Sequence, residues 1–160
     1  MSRISRQRLK SMLVYIPTTG EWRRPRGYKL RRGQRRDKIG TANKVGGRQI
    51  QIDGKIYLSA VLAWFYVKGK WPTKVIDHKD RDPSNDRWKN LRHGSQSQNC
   101  GNSPCRSNNA IGHKNVSKIG RGYRVIVQRK YLGRYRSLKT AIDVATQGRR
   151  KIFGEFACHE

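Results

Sequence analysis

Residues 101–112 are rich in Gly, Ser, Asn and Pro, and that composition limits the fold strongly. Such a stretch reads as a linker. Before it, residues 74–101 read in the order strand, loop, strand, helix. After it, Gly122-Tyr123-Arg124-Val125-Ile126-Val127-Gln128 alternates as a strand. Arg129-Lys130 reads as a turn and Tyr131-Leu132-Gly133-Arg134-Tyr135 as a second strand. Leu138, Ala141, Ile142, Ala145 and Ile152 then follow helical spacing. A chain divided this way builds small α+β modules. Hydrophobic residues make up 34%, low for one large core.

Further toward the N-terminus, residues 3–14 read as a short helix with Ile4, Leu9, Met12 and Leu13 as its apolar positions. Pro17-Thr18-Thr19-Gly20 is a turn between Val14-Tyr15-Ile16 and Glu21-Trp22. Residues 48–58 read as a hairpin: Ile50 and Ile52 alternate with polar residues, and Asp53-Gly54 is a two-residue turn signal. Ser59 is expected to cap a helix over residues 60–67. That helix is apolar nearly all round and is the expected main core element. Gly69 and Pro72 end it.

The chain carries 37 Lys and Arg against 10 Asp and Glu, a formal charge of +27. Charge of that size is an argument about partners rather than fold. A polyanion fits, because each neutralised phosphate releases counterions. Residues 23–38 alone hold nine basic residues and one acid, with Pro25, Gly27 and Gly33 as breakers. They read as a solvated loop or as an arm that tracks phosphates. No apolar run approaches the roughly 20 residues needed to cross a bilayer. Met1 to Lys10 is basic with no apolar stretch behind it, so no signal peptide is expected. Cys100, Cys105 and Cys158 are an odd count without a disulfide pattern, which fits a reducing, cytoplasmic setting. Cys100 and Cys105 are too widely spaced, and too short of companion ligands, for the usual structural zinc.

The chemistry concentrates in Val75-Ile76-Asp77-His78-Lys79-Asp80, followed by Asn85, Asn90-Leu91-Arg92 and Asn99. Cleaving a phosphodiester needs an attacking water, charge neutralisation at phosphorus and a stabilised leaving oxygen. A divalent metal supplies the last two. Hard cations take oxygen ligands, which Asp77 and the Asn99 amide offer. A neutral imidazole at His78 can take a proton near pH 7. Neighbouring strand residues point to opposite faces, so Asp77 and His78 serve one phosphate only if the strand ends or bends there. Ser95-Gln96-Ser97-Gln98 is a capping box that starts the helix carrying Asn99.

These residues resemble the HNH nuclease motif, the ββα-metal (His-Me) finger of many phage-encoded and intron-encoded homing endonucleases. The resemblance implies His78 as general base and Asp77 and Asn99 as ligands for a divalent metal, Mg²⁺ or Mn²⁺. It implies Asn90 as the residue orienting the His78 region and Asn85 as a loop brace. Asn at position 99, where His is common, resembles the HNN branch. The Tyr15-Ile16-Pro17-Thr18-Thr19-Gly20-Glu21-Trp22 segment, and the hairpin with the Leu62-Ala63-Trp64 helix, resemble the usual lead-in of such proteins.

Residues 106–160 resemble the APETALA-type (ethylene-response-factor) DNA-binding domain. The carriers are Gly122 to Val127, Tyr131 to Tyr135, Ala141 and Arg150-Lys151-Ile152-Phe153-Gly154-Glu155-Phe156-Ala157. The resemblance implies three antiparallel strands on one helix, with the sheet in the major groove of double-stranded DNA. Arg124, Gln128, Arg129, Arg134 and Arg136 are then the candidate contacts, each to a base or to phosphate alone. The expected organisation is a basic region at 1–47, an HNH domain at 48–101, a linker at 102–112 and the APETALA-type domain at 113–160. The expected activity is a metal-dependent, monomeric DNA endonuclease. The rivals are a DNA-binding regulatory protein that keeps the finger as scaffold and a structural RNA-binding protein.

Overall fold

The structure, a computed structural model that describes residues 3–30, 32 and 39–158, begins with helix α1 at Arg6–Met12. The Ser5 hydroxyl accepts from Arg8 N–H and caps it. Leu13 is extended and ends it, and β1 (Val14–Ile16) pairs antiparallel with β2 (Glu21–Arg23), Tyr15 opposite Trp22. Next come β3 (Thr41–Ala42), β4 (Arg48–Ile52) and β5 (Lys55–Leu58) in one sheet, order β3-β4-β5. Asp53 and Gly54 both have positive φ, the geometry a two-residue hairpin turn requires. β3 has no pattern in the sequence; at two residues it is too short to alternate. Part of the basic arm expected over residues 23–38, namely residue 31 and residues 33–38, lies outside the described residues.

Helix α2 (Ser59–Lys68) follows β5 directly, and Gly69 closes it in the left-handed region. The expected Ser59 cap is not made: Leu58 is the cap residue and no side chain bonds there. Ser59 is instead fully buried, and its hydroxyl accepts from the Trp22 indole N–H at 2.9 Å. Satisfying a buried indole takes precedence over capping. Around α2, Leu9, Leu13, Tyr15, Trp22, Ile39, Ile50, Ile52, Leu62, Phe65 and Leu91 form one core. The stretch set apart by its basic composition thus supplies five of these side chains. Phe65 stacks on Trp71, and Trp64 lies against Trp88 and His93, so the aromatics of this helix are packing groups.

β6 (Val75–His78) pairs antiparallel with β7 (Leu91–Gly94), and a single 3₁₀ turn at Trp88–Asn90 leads into β7. These elements complete the first of two compact units, Met1–Gly94; the second is Ser95–Glu160.

The second unit opens with α3 (Gln96–Asn102), started by the expected capping box of Ser95 and Gln98. β8 (Val116–Ile119), β9 (Gly122–Val127) and β10 (Lys130–Tyr135) form an antiparallel sheet in the order β10-β9-β8. α4 (Leu138–Phe153) follows, capped by Ser137. Val116, Val125, Val127, Ala141, Ala145, Phe153 and Phe156 make its core. A Cβ at Gly101 would lie 2.6 Å from Phe153, so glycine lets α3 approach that core. The residue pattern alone does not reveal β8, because Ser117 and Lys118 interrupt it. The turn falls at Gln128-Arg129, both at positive φ, one residue earlier than expected, and Lys130 is already in the strand. None of the three cysteines is in a disulfide, and no described helix is long and apolar enough to cross a membrane.

Candidate active site and nucleic-acid interface

His78 is the last residue of β6 and its side chain is 15% exposed. Its Nε2 lies 3.0 Å from Oδ1 of Asp86, which is itself buried. Asp77, one residue earlier, engages a different group: its Oδ2 accepts from Arg92 Nε at 2.8 Å, and both residues are buried. Register explains the split, since Asp77 sits opposite Arg92 and His78 opposite Leu91.

The loop between the two strands is organised by Asp80. Its Oδ1 accepts from Asn90 Nδ2 (2.9 Å) and Asp82 N–H (2.9 Å), and its Oδ2 from Asn85 Nδ2 (2.5 Å). Asn90 also accepts from Asp80 N–H through Oδ1 and donates to the Asn85 carbonyl. Asn90 carbonyl takes the Lys79 N–H. Partial burial works against ionisation of Asp80, but the bonds from Asp82, Asn90 and Asn85 outweigh it and hold its carboxyl below the usual range. The hydrogen bonds of Asn85 and Asn90 therefore run to the loop that leaves His78. Asn99 lies on α3, in the second unit, and is half-buried.

Asp86 is the site residue the sequence reading passes over, whereas Asp80, which the motif includes, accepts from Asn85, Asn90 and Asp82. An acid within a polar loop carries no period, and only the fold brings Asp86 to the imidazole. Among the described residues no group of three or more His, Cys, Asp or Glu forms a metal centre. The donors expected for a metal, the Asp77 carboxylate and the Asn99 amide, are oxygen ligands. They fit a hard cation that keeps waters and uses one or two carboxylates plus substrate phosphates.

In the second unit, Val125 and Val127 are buried while Arg124 and Arg134, paired across β9 and β10, are exposed. Ser117 of β8 completes that row, and its hydroxyl accepts from Arg124 Nε. Arg134 donates to the Ile119 carbonyl. Gln128 and Arg129 form the exposed β9–β10 turn, with Gln128 donating to Ser97 Oγ; Arg136 is exposed just beyond β10.

A family model described as HNH endonuclease matches residues 57–100, which run from β5 into α3 and include Asp77, His78, Asn85, Asn90 and Asn99. The match supports an HNH nuclease module over these residues. No curated protein matches the chain, and no solved structure does.

Proposed function

We propose that the protein is a metal-dependent endonuclease of the HNH homing type, in its HNN form, that hydrolyses phosphodiester bonds in double-stranded DNA. The observation that carries this reading is His78, ending a strand beside a carboxylate inside the segment matched by the HNH endonuclease model. His78 takes the proton of the attacking water. Asp77 and Asn99 hold a divalent cation, Mg²⁺ or Mn²⁺. When bound, that ion neutralises charge at phosphorus and stabilises the leaving oxygen. Asn90 and Asn85 fix the loop that sets the direction of His78.

Residues 113–160 act as an APETALA-type DNA reader. Three antiparallel strands with one face on a helix, and arginines on the other face, suit a groove-binding sheet. Arg124, Gln128, Arg129, Arg134 and Arg136 contact bases or phosphates there. The net charge of +27 supplies affinity that does not depend on sequence.

The test is supercoiled plasmid incubated with the full chain and Mg²⁺ or Mn²⁺, against the same mixture with EDTA. Nicked or linear product that needs the metal is expected. Binding without cleavage across both metals would overturn the enzymatic reading and leave a DNA-binding protein.

A further inference from the structure

The contact between Asp86 and His78 raises the question of what holds Asp86. It follows an irregular polar loop, yet it is only 3% exposed. Its supports come from the β1–β2 hairpin, far away in sequence. The Tyr15 hydroxyl donates to the Asp86 carbonyl at 2.5 Å. The Pro17 carbonyl accepts from Trp88 N–H at 2.9 Å. At Gly20 (φ +76°) the two backbones meet so closely that a Cβ would stand 2.5 Å from Arg87 N and Asp86 C. The hairpin is itself rigid, because Tyr15 is 3% exposed and packs against the Trp22 and Tyr66 rings.

A carboxylate only accepts hydrogen bonds, so the Asp86 contact fixes the proton of a neutral imidazole on Nε2. Nδ1 then carries the lone pair. We infer that the β1–β2 hairpin is a positioning clamp of the active site: Tyr15, Pro17 and Gly20 hold Asp86, and Asp86 holds His78 in the Nε2–H tautomer with Nδ1 as the basic nitrogen. This rests on the reading of His78 as general base. Asp86 and Tyr15 are positioning residues, acting through the imidazole and touching no substrate.

The experiment combines ¹⁵N NMR of the histidine side chains with single-turnover plasmid cleavage, on the full chain at about pH 8.5, where an ordinary imidazole is neutral. His78→Gln assigns the His78 signals. In the wild type His78 is expected as the Nε2–H tautomer. Asp86→Ala is expected to mix the tautomers and slow cleavage on the order of 10- to 100-fold, with DNA affinity unchanged. Tyr15→Phe keeps the packed ring and removes only the hydroxyl, so it tests the clamp should Asp86→Ala fail to fold. It is expected to shift the His78 signals and slow cleavage by about tenfold. An Nδ1–H wild type, or a Tyr15→Phe protein with native His78 signals and native rate, would overturn the clamp. If the wild type cuts nothing with either metal but shows the Nε2–H tautomer lost in Asp86→Ala, the clamp stands and the nuclease reading falls.

Discussion

Arg92→Met removes the cation that faces Asp77. The Arg92 Nε to Asp77 Oδ2 distance is 2.8 Å, and the two residues are 8% and 5% exposed. Methionine fills much of the same volume but leaves a buried carboxylate without that partner. Breaking a buried pair from one side costs about 3–5 kcal/mol, far more than the ~0–1 kcal/mol of a surface pair. Against a whole-domain stability of about 5–15 kcal/mol this is a large fraction. With a urea dependence near 2 kcal/mol per molar, the midpoint should fall by about 2 M. All four tryptophans, Trp22, Trp64, Trp71 and Trp88, lie in the first unit, so their fluorescence reports its unfolding alone. The double variant Asp77→Asn with Arg92→Met should recover most of the loss, because it removes the stranded charge. A single variant within about 1 kcal/mol of wild type would refute the idea that this pair is a buried, mutually dependent unit.

Ser59→Ala orphans the buried Trp22 indole N–H and should cost about 1–3 kcal/mol in the same fluorescence assay; a neutral effect would contradict the assigned bond. Lys114 donates to the carbonyls of Cys100, Gly101 and Ser103, and burial, its largest influence, lowers its pKa. Lys114→Met should therefore destabilise the second unit by about 1–3 kcal/mol, read by thermal melting of residues 95–160 through amide exchange. Asp80 is held below the usual carboxylate range, so its contribution is present above the unfolded value near 3.9 and is lost as pH falls through the folded value. Melting temperatures of wild type and Asp80→Asn should accordingly differ at pH 5 and converge as pH drops toward 2.5.

Regular elements were legible where side-chain period and punctuation agree. The hairpin at 48–58 shows both alternation and an Asp-Gly turn, and the α3 capping box is written out in Ser95 and Gln98. The helix at 59–68 was legible as core, but the role of Ser59 was not. A serine before an apolar run looks like a cap, and only the tertiary fold brings Trp22 to it. β3 and β8 are short, and their pairing partners, not their own residues, make them strands. His78 and the asparagines could be singled out as candidates because their types and spacing resemble the HNH motif. Asp86 could not, since its place beside His78 is set by Tyr15, Pro17 and Gly20, contacts that no local spacing encodes.

The central claim is that His78 is the base in DNA cleavage. The direct measurement is single-turnover cleavage of plasmid DNA by wild type and His78→Ala, with DNA affinity measured in parallel. One side chain adds little to affinity in a chain of this charge, so binding should match while the rate falls by about 10²-fold or more. A His78→Ala protein that binds and cuts at the wild-type rate would contradict the account.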